Sequence, residues 1–295
     1  MNLFPNELKP VPYPAMAEAV VEWIQSHPQS CSSNHNRLLQ QCKLYIESKG
    51  IIQKTHPKWL GFIQGLKDIQ EYWFIIEILK EQLLETPFIE QFKLSLQDPS
   101  LPKDSKDFTP GRDAQFELFI AAIAWRAGFT VKRLGARKAD WGLTASSSNW
   151  SLEAKRIKSL NKMEKHIRKA GKQITASKTG GVIAMDISLA VNPSCAPLPT
   201  FVSDDDIEEA HSMRTDCFVR DYLPSIRDWI GSKSVGFLLF HESVIVPASG
   251  VTPAGYSPWA LNGLWHKVDL LSPGSTNKGH YDDLWSLFKI ALPNP

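Results

Sequence analysis

The spacing of apolar residues changes near residue 110, and this change restricts the fold more than any other feature of the 295-residue chain. Before it, apolar residues recur at the three- and four-residue steps of amphipathic helices, over Ala15–Ser26, Arg37–Ser48 and Ile69–Leu84. After it, short apolar runs typical of strands alternate with helical patterns. We therefore expect an α/β fold: a mixed sheet flanked by helices, preceded by an all-helical N-terminal region.

The elements predicted after residue 110 follow the order helix, three strands, helix, strand, helix, strand. Gly128 ends the first helix and Gly180–Gly181 end the second, while Pro224 marks a break or restart in the third. The predicted elements are a helix over Asp113–Ala127, strands over Thr130–Leu134, Asp140–Ala145 and Trp150–Ile157, a helix over Leu160–Ser177, a strand over Val182–Leu189, a helix over Asp204–Ile230 and a strand within Val235–Val246.

A cluster of proline, serine, glycine and aspartate at residues 97–111 is the best candidate for a linker. The length suggests about two domains at roughly 150 residues each. We therefore expect a helical recognition or interaction region at residues 1–108 and a sheet-containing domain at residues 109–295. The helical region contains no recognisable catalytic constellation.

Composition excludes several classes of protein. Hydrophobic residues are 43% and charged residues 22% of the chain, which is typical of globular proteins and argues against overall disorder. Charged residues interrupt the apolar runs well before the roughly 18 residues of a membrane span, so we expect no membrane partner. The cysteines at positions 31, 42, 195 and 217 lack the spacing of a zinc site. Reduced thiols and the absence of a secretion signal predict a cytoplasmic protein.

The net charge of +2 conceals a strongly basic middle segment. Residues 101–180 carry 17 basic and 7 acidic side chains, a net charge of +10. The flanking segments are acidic, with net charges of −2 over residues 1–100 and −6 over residues 181–295. Such asymmetry favours a polyanionic partner such as nucleic acid, although a solvated basic face would give the same count.

Two of the predicted strands form a hairpin that carries two carboxylates. Alternate residues of a strand share one face, so Glu153 and Lys155 point the same way, and a short serine-rich turn brings Asp140 near Glu153. Two adjacent carboxylates repel each other unless a proton or a cation lies between them. Oxygen ligands of this kind suit Mg²⁺ or Mn²⁺. Lys155 would then hold or help to deprotonate an attacking water, or stabilise charge on a phosphate.

Glu117 is a third carboxylate in an unexpected environment. It lies within the apolar run of residues 116–120 in the preceding helix, where an unpaired charge would be costly to bury. Asp113, one turn earlier, is explained as a first-turn acid favoured by the helix dipole. Glu117 is therefore the candidate for a third acidic group of the site.

In this order of elements, Glu117, Asp140 and the run Glu153-Ala154-Lys155 resemble the PD-(D/E)xK superfamily of restriction-endonuclease-like nucleases. The resemblance covers residues 111–190, with an extension towards residue 245, and implies a restriction-endonuclease-like core. It implies that Asp140, Glu153 and the carbonyl oxygen of Ala154 bind Mg²⁺ or Mn²⁺. Glu117 would orient a second metal ion or its water, and Lys155 would position the attacking water.

Two other positions bear on the resemblance. Some members carry a catalytic glutamine on the following helix, which Gln173 matches. Ala139 replaces the proline of the family name, at a position that varies within the family. Because the Glu-x-Lys motif is short and arises by chance, the alternative is an exposed hairpin with an ordinary Glu–Lys pair and a surface aspartate.

The helix predicted after the hairpin is basic on one face. Four lysines recur at steps of three and four residues, an arginine flanks them, and the opposite face is apolar. A row of this kind can follow a phosphate backbone, or it can be a solvated helix surface. The candidate nucleic-acid-binding residues are Lys162, Lys165, Arg168, Lys169 and Lys172.

The sequence therefore predicts a magnesium-dependent endo- or exonuclease that acts on DNA, for which a role in bacterial defence or mobile elements is compatible. One alternative is a catalytically silent nucleic-acid-binding or assembly protein with the same fold, and another is an RNA-directed nuclease. Residues 1–108 would recognise DNA, a partner protein or a second copy of the chain.

Overall fold

The structure is a computed structural model. It describes residues 11–28, 37–52, 55–97, 110–146, 148–194, 204–231, 234–247, 259–272, 274–275 and 277–292. The start of the predicted N-terminal region (residues 1–10), most of the linker predicted at 97–111 (residues 98–109) and the cysteines at 31 and 195 lie outside these residues. The domain boundary predicted after residue 108 falls there too and stays a prediction.

Along the sequence, helices lie before the first strand, between several of the strands and after the last strand. They are α1 (Tyr13–Ser26), α2 (Arg37–Ser48), α3 (Trp59–Leu79), α4 (Thr86–Ser95), α5 (Pro110–Arg126), α6 (Leu160–Ser177), α7 (Ser188–Val191), α8 (Asp204–Ile230) and α9 (Lys278–Ala291), with a 3₁₀ turn at Gln82–Leu84. The strands are β1 (Thr130–Arg133), β2 (Trp141–Ala145), β3 (Ser148–Arg156), β4 (Gly180–Asp186), β5 (Val235–Pro247) and β6 (Trp259–Asp269).

The strands form one six-stranded mixed sheet in the order β1-β2-β3-β4-β5-β6. The pairs β1–β2, β2–β3 and β5–β6 are antiparallel, whereas β3–β4 and β4–β5 are parallel. Each parallel pair is connected by a helical crossover, α6 before β4 and α8 before β5, as parallel strands require. The predicted α/β architecture, with its mixed sheet and helical N-terminal region, is therefore confirmed.

Helices cover both faces of the sheet. On one face, Leu152 and Ala154 of β3 share an apolar cluster with α5, α9 and the N-terminal helices. On the other face, Ile183 and Met185 of β4 share a second cluster with α6 and α8. In the parallel register Glu153 pairs with Ile183 and Lys155 with Met185, so both polar residues lie on the face covered by α6 and α8.

The N-terminal helices are joined to the sheet by buried ion pairs as well as by apolar packing. Lys67 of α3 and Arg156 of β3 both contact the Asp186 carboxylate of β4, at 3.0 and 2.9 Å. Burial alone would raise the pKa of Asp186, but these two cations outweigh it and hold that pKa well below its usual range. Nearby, Arg37 of α2 and Arg112 of α5 contact the buried Asp68 at 3.0 and 3.1 Å. The helices of the N-terminal region and the strand that carries Lys155 therefore share one polar core.

Several sequence predictions about helices need correction. The third helix begins at Trp59 rather than Ile69, because Phe62 and Leu66 continue its buried face across Gly61 and Gly65. Helix α4, in which Pro87 occupies an ordinary first-turn position, was not predicted. Pro224 lies inside α8 and does not end it.

Corrections also apply to the sheet and the C-terminal segment. Strand β4 ends at Asp186 rather than Leu189 and leads into the short helix α7. Strand β6 and helix α9 were not predicted. Trp141 of β2 and Trp150 of β3 are both buried.

The Gly180–Gly181 pair belongs to β4 and does not terminate α6, which ends at Ser177 and is followed by Lys178 with a left-handed φ of 61°. Gly180 makes room for Tyr281 of α9. A Cβ on Gly180 would lie 2.2 Å from the Tyr281 hydroxyl oxygen. That hydroxyl accepts a hydrogen bond from the Gly181 N–H and donates one to the Ser234 carbonyl, each at 3.0 Å. Close approach of α9 is therefore the reason for Gly180, whereas a Cβ on Gly181 would lie 2.6 Å from the Ile174 side chain of α6.

In the described part of the chain, no helix has both the length and the apolar character that crossing a membrane requires. Cys42 and Cys217 carry free thiols.

Candidate active site

The β2–β3 hairpin brings the two predicted carboxylates together. Trp141 pairs with Leu152, which places Asp140 beside Glu153. The Asp140 N–H donates to Oε2 of Glu153 at 2.9 Å, and the Ala154 N–H donates to Oδ2 of Asp140 at 2.9 Å. Each carboxylate is thus fixed by the main chain of the other segment. Both are buried, with Glu153 at 0% and Asp140 at 8% exposure.

The Lys155 ammonium lies among the oxygen atoms of this pair. It donates to Oε1 of Glu153 and, at 3.1 Å, to the carbonyl oxygen of Ala154. Its Nζ also lies 3.8 Å from Oδ2 of Asp140. One cation therefore contacts the three groups that the sequence predicts as metal ligands.

Glu117 approaches the hairpin from α5, but other residues bind its carboxylate. Oε2 of Glu117 accepts hydrogen bonds from Arg133 of β1 at 2.7 Å and from Gln91 of α4 at 2.6 Å. The Trp141 indole N–H donates to the Glu117 carbonyl at 3.0 Å, and the Arg133 guanidinium lies 4.9 Å from the centre of the Trp141 ring. The buried charge predicted for Glu117 is therefore paired.

Burial and neighbouring charges alter the titration of this cluster. Burial, followed by the charge of Asp140, raises the pKa of Glu153 to about 8. The same two causes raise the pKa of Glu117 to about 7, against the opposing effect of Arg133. For Lys155, burial favours the neutral amine, but Asp140 and Glu153 outweigh it, so its pKa is raised. The nearby cations therefore do not fully neutralise the three carboxylates, and Glu153 and Glu117 retain protons near neutral pH.

The residues present fit a divalent cation at one position. Two carboxylates and a carbonyl converge on the Lys155 ammonium, and all three are hard oxygen donors of the kind that Mg²⁺ and Mn²⁺ prefer. Among the described residues, no group of three or more His, Cys, Asp and Glu side chains is arranged to hold a metal ion. A metal ion could bind these oxygen atoms only if the Lys155 ammonium moved away from them. Glu117, which is bound by Arg133 and Gln91, would then lie at the edge of the metal site.

Gln173 does not contact any of the three carboxylates. Its side-chain amide donates to the carbonyl of Lys138 at 2.8 Å, in the loop that leads into Asp140. Its predicted catalytic role stays a prediction.

The five candidate nucleic-acid-binding residues of α6 are all exposed to solvent: Lys162, Lys165, Arg168, Lys169 and Lys172. Arg168 forms an ion pair with Glu164 at 2.7 Å. The opposite side of α6 packs against the sheet through Met163 and Ile167, as the apolar stripe predicted. The basic row therefore lies on the outer surface of the helix that covers the face bearing Glu153 and Lys155.

Sequence reasoning missed three residues of this site. Gln91 lies in the unpredicted helix α4, and its contact with Glu117 spans 26 residues of sequence. Arg133 was counted as part of the basic segment, but no periodicity indicated its partner. Ser177, at the end of α6, accepts a hydrogen bond from the Ala139 N–H at 3.0 Å. A buried acid in an apolar run signals that some cationic partner exists, but it does not identify that partner.

Comparisons with protein-family models, with curated proteins and with solved structures found no match to this chain. Support for a family or a function therefore comes from the residues and their geometry alone.

The raised pKa of Glu117 predicts that the stability of the metal-free protein depends on pH. The contribution of a group with a raised folded-state pKa is fully present below its ordinary value of 4.5 and is lost as the pH rises through about 7. Glu117→Gln removes this loss, so we expect the variant to exceed wild type in stability at about pH 8 by on the order of 1–3 kcal/mol, and by less at about pH 5. Urea unfolding in the presence of a chelator measures the difference.

The exposed Glu77 of α3 supplies the control, because Glu77→Gln removes a solvent-exposed carboxylate from another helix. A Glu117→Gln stability difference that is the same at both pH values would contradict the electrostatic account of the cluster.

Proposed function

We propose that this protein is a metal-dependent nuclease that hydrolyses phosphodiester bonds in DNA. One observation carries the proposal: Asp140, Glu153 and the Ala154 carbonyl converge on a single cation, the Lys155 ammonium. Two neighbouring carboxylates are rarely buried in a protein unless a function requires them, because their mutual repulsion and desolvation are costly.

The arrangement of elements supports assignment to the PD-(D/E)xK superfamily. Helix α5, strands β1 to β3, helix α6 and strand β4 follow one another in the order that the resemblance implies. The acids also come from the expected places, Glu117 from the helix before β1, Asp140 from the residue before β2 and Glu153 from β3. We include in this proposal that the sheet and its flanking helices form a restriction-endonuclease-like core.

Each residue of the site has a chemical role in the proposal. Asp140, Glu153 and the Ala154 carbonyl would hold Mg²⁺ or Mn²⁺, and Glu117 would orient ligands at the edge of the site. A divalent ion supplies positive charge that stabilises the phosphate in the transition state. Lys155 positions the attacking water and donates hydrogen bonds to the developing negative charge.

The distribution of charge supports a nucleic-acid substrate. The exposed basic residues of α6 belong to a helix that packs on the sheet face bearing the site. Arg137 and Lys138 are also exposed, in the loop that leads into Asp140. A phosphate backbone that follows these cations would be guided towards the carboxylates, while the contacts themselves would not read base sequence.

Cleavage assays test the proposal. Purified protein is incubated with linear and circular double-stranded DNA, single-stranded DNA and RNA, with Mg²⁺ or with a chelator. We expect DNA cleavage that requires the metal ion and that falls by at least about 100-fold in Glu153→Ala and in Lys155→Ala, because each removes a group that acts on the reacting phosphate or water. Glu77→Ala and Lys289→Ala, at exposed positions on α3 and α9, serve as matched controls.

The outcomes separate the alternatives. If wild type is folded but cleaves no substrate, the nuclease proposal is contradicted. Binding of DNA without cleavage would favour a catalytically silent nucleic-acid-binding protein instead. Preferential cleavage of RNA would replace DNA as the substrate. Equal activity of wild type, Glu153→Ala and Lys155→Ala would show that the site is elsewhere.

The basic row of α6 predicts a specific effect of salt on DNA binding. A lysine that contacts a phosphate releases a counterion, so Lys169→Gln should weaken binding and lower the slope of log K against log salt by about 1. Binding is measured by fluorescence anisotropy in chelator, over a range of salt concentrations. Lys289→Gln removes an exposed lysine from α9, on the opposite face of the sheet, and should leave the slope unchanged. Identical slopes for the two variants would rule out α6 as the DNA-binding surface.

A further inference from the structure

A single peptide group before Asp140 is hydrogen-bonded at both ends by α6. Its carbonyl, from Lys138, accepts a hydrogen bond from the Gln173 side-chain amide at 2.8 Å. Its N–H, from Ala139, donates to the Ser177 hydroxyl oxygen at 3.0 Å. The Ser177 hydroxyl in turn donates to the Gln173 carbonyl at 2.9 Å. Two side chains one helical turn apart therefore fix the plane of the Lys138–Ala139 peptide.

This peptide lies in the loop that connects β1 to β2. The loop is closed at its base by the Leu134 N–H, which donates to the Asp140 carbonyl at 3.2 Å, and internally by the Lys138 N–H, which donates to the Gly135 carbonyl at 3.2 Å. Ala139 is buried at 1% exposure and belongs to the apolar cluster formed with α6. The loop is therefore anchored to α6 through both a methyl group and a peptide group.

The position of Asp140 depends on this anchorage. Its N–H and its carboxylate are each bonded to β3, so both must face β3 at the same time. That geometry requires the chain to enter Asp140 from one direction, and the Lys138–Ala139 peptide sets that direction. Small displacements of a reactive group carry large penalties in rate, and residues behind a metal ligand typically affect metal affinity strongly.

We propose that Ser177 and Gln173 are positioning residues that orient Asp140 by holding the Lys138–Ala139 peptide. The inference rests on the proposed function, since it assigns these two residues to the placement of one of its metal ligands. It also gives a physical reason for the residue at position 139. A proline there would have no N–H to donate, so the hydrogen bond to Ser177 requires a residue such as alanine.

A merely structural role for the Ser177 hydroxyl is the competing explanation, because helix hydroxyls often donate to the carbonyl four residues earlier. Thr175 makes such a bond, to the Gly171 carbonyl at 2.9 Å, on the same turn of α6. Thr175→Ala therefore removes the same kind of intrahelical bond and serves as the matched control for Ser177→Ala. Ser177→Thr keeps a hydroxyl and tests for rescue.

The experiment combines three measurements on the full chain: hydrogen exchange of the Ala139 amide, calorimetric titration with Mn²⁺ in the absence of nucleic acid, and the kcat and KM of DNA cleavage. For Ser177→Ala we expect exchange of the Ala139 amide to become faster, and Mn²⁺ affinity and kcat to fall by about 10-fold, with KM for DNA unchanged. Ser177→Thr should restore all three quantities, and Thr175→Ala should match wild type. Gln173→Leu, which removes only the bond to the Lys138 carbonyl, should reproduce the effect if Ser177→Ala does not fold.

Two results would overturn the inference in different ways. If wild type binds Mn²⁺ and cleaves DNA, while Ser177→Ala and Thr175→Ala have the same Mn²⁺ affinity and kcat, then the positioning role is wrong and the proposed function stands. If wild type neither binds Mn²⁺ nor cleaves any nucleic acid, then the proposed function is wrong and the positioning role is lost with it.

Discussion

Asp140 and Glu153 are buried side by side, so the surrounding structure must offset their desolvation and mutual repulsion. Each carboxylate accepts a main-chain N–H from the segment that carries the other, and both lie near the ammonium of Lys155. These contacts only partly offset desolvation and mutual repulsion, because the pKa of Glu153 remains raised to about 8. The hairpin therefore holds a geometry that a bound cation would stabilise.

The surrounding elements hold this geometry from several directions. Helix α5 contributes Glu117, whose carbonyl is tied to the indole of Trp141 at the start of β2. Strand β3 is fixed on both faces, since Lys155 faces the carboxylates while Arg156, the next residue, is bound by the buried Asp186. The contact of Lys67 with Asp186 extends this support to α3. The N-terminal helices thus contribute directly to the rigidity of the strand that carries the site.

Sequence patterns predicted the parts of the fold that depend on local spacing. The hairpin was predicted from strand alternation and its serine-rich turn, and α6 from an apolar stripe that packs against the sheet. The missed elements are α4 and the start of α3, which contain proline or glycine, together with β6 and α9, whose burial depends on contacts with β5 and α5. The same limit applies to the site: Glu153 and Lys155 follow from strand alternation, whereas the contacts of Glu117 with Gln91 and Arg133 join separate elements and leave no local pattern.

Calorimetric titration of purified wild type and Glu153→Gln with Mg²⁺ or Mn²⁺, in buffers of different ionisation enthalpy, measures whether the buried carboxylates bind a metal ion. Because Glu153 and Glu117 retain protons near neutral pH, a metal ion that binds there must displace them. We expect wild type to bind the metal ion with release of about one proton at pH near 7, and Glu153→Gln to bind it at least about 10-fold more weakly. Absence of binding, or binding that Glu153→Gln leaves unchanged, would contradict this expectation.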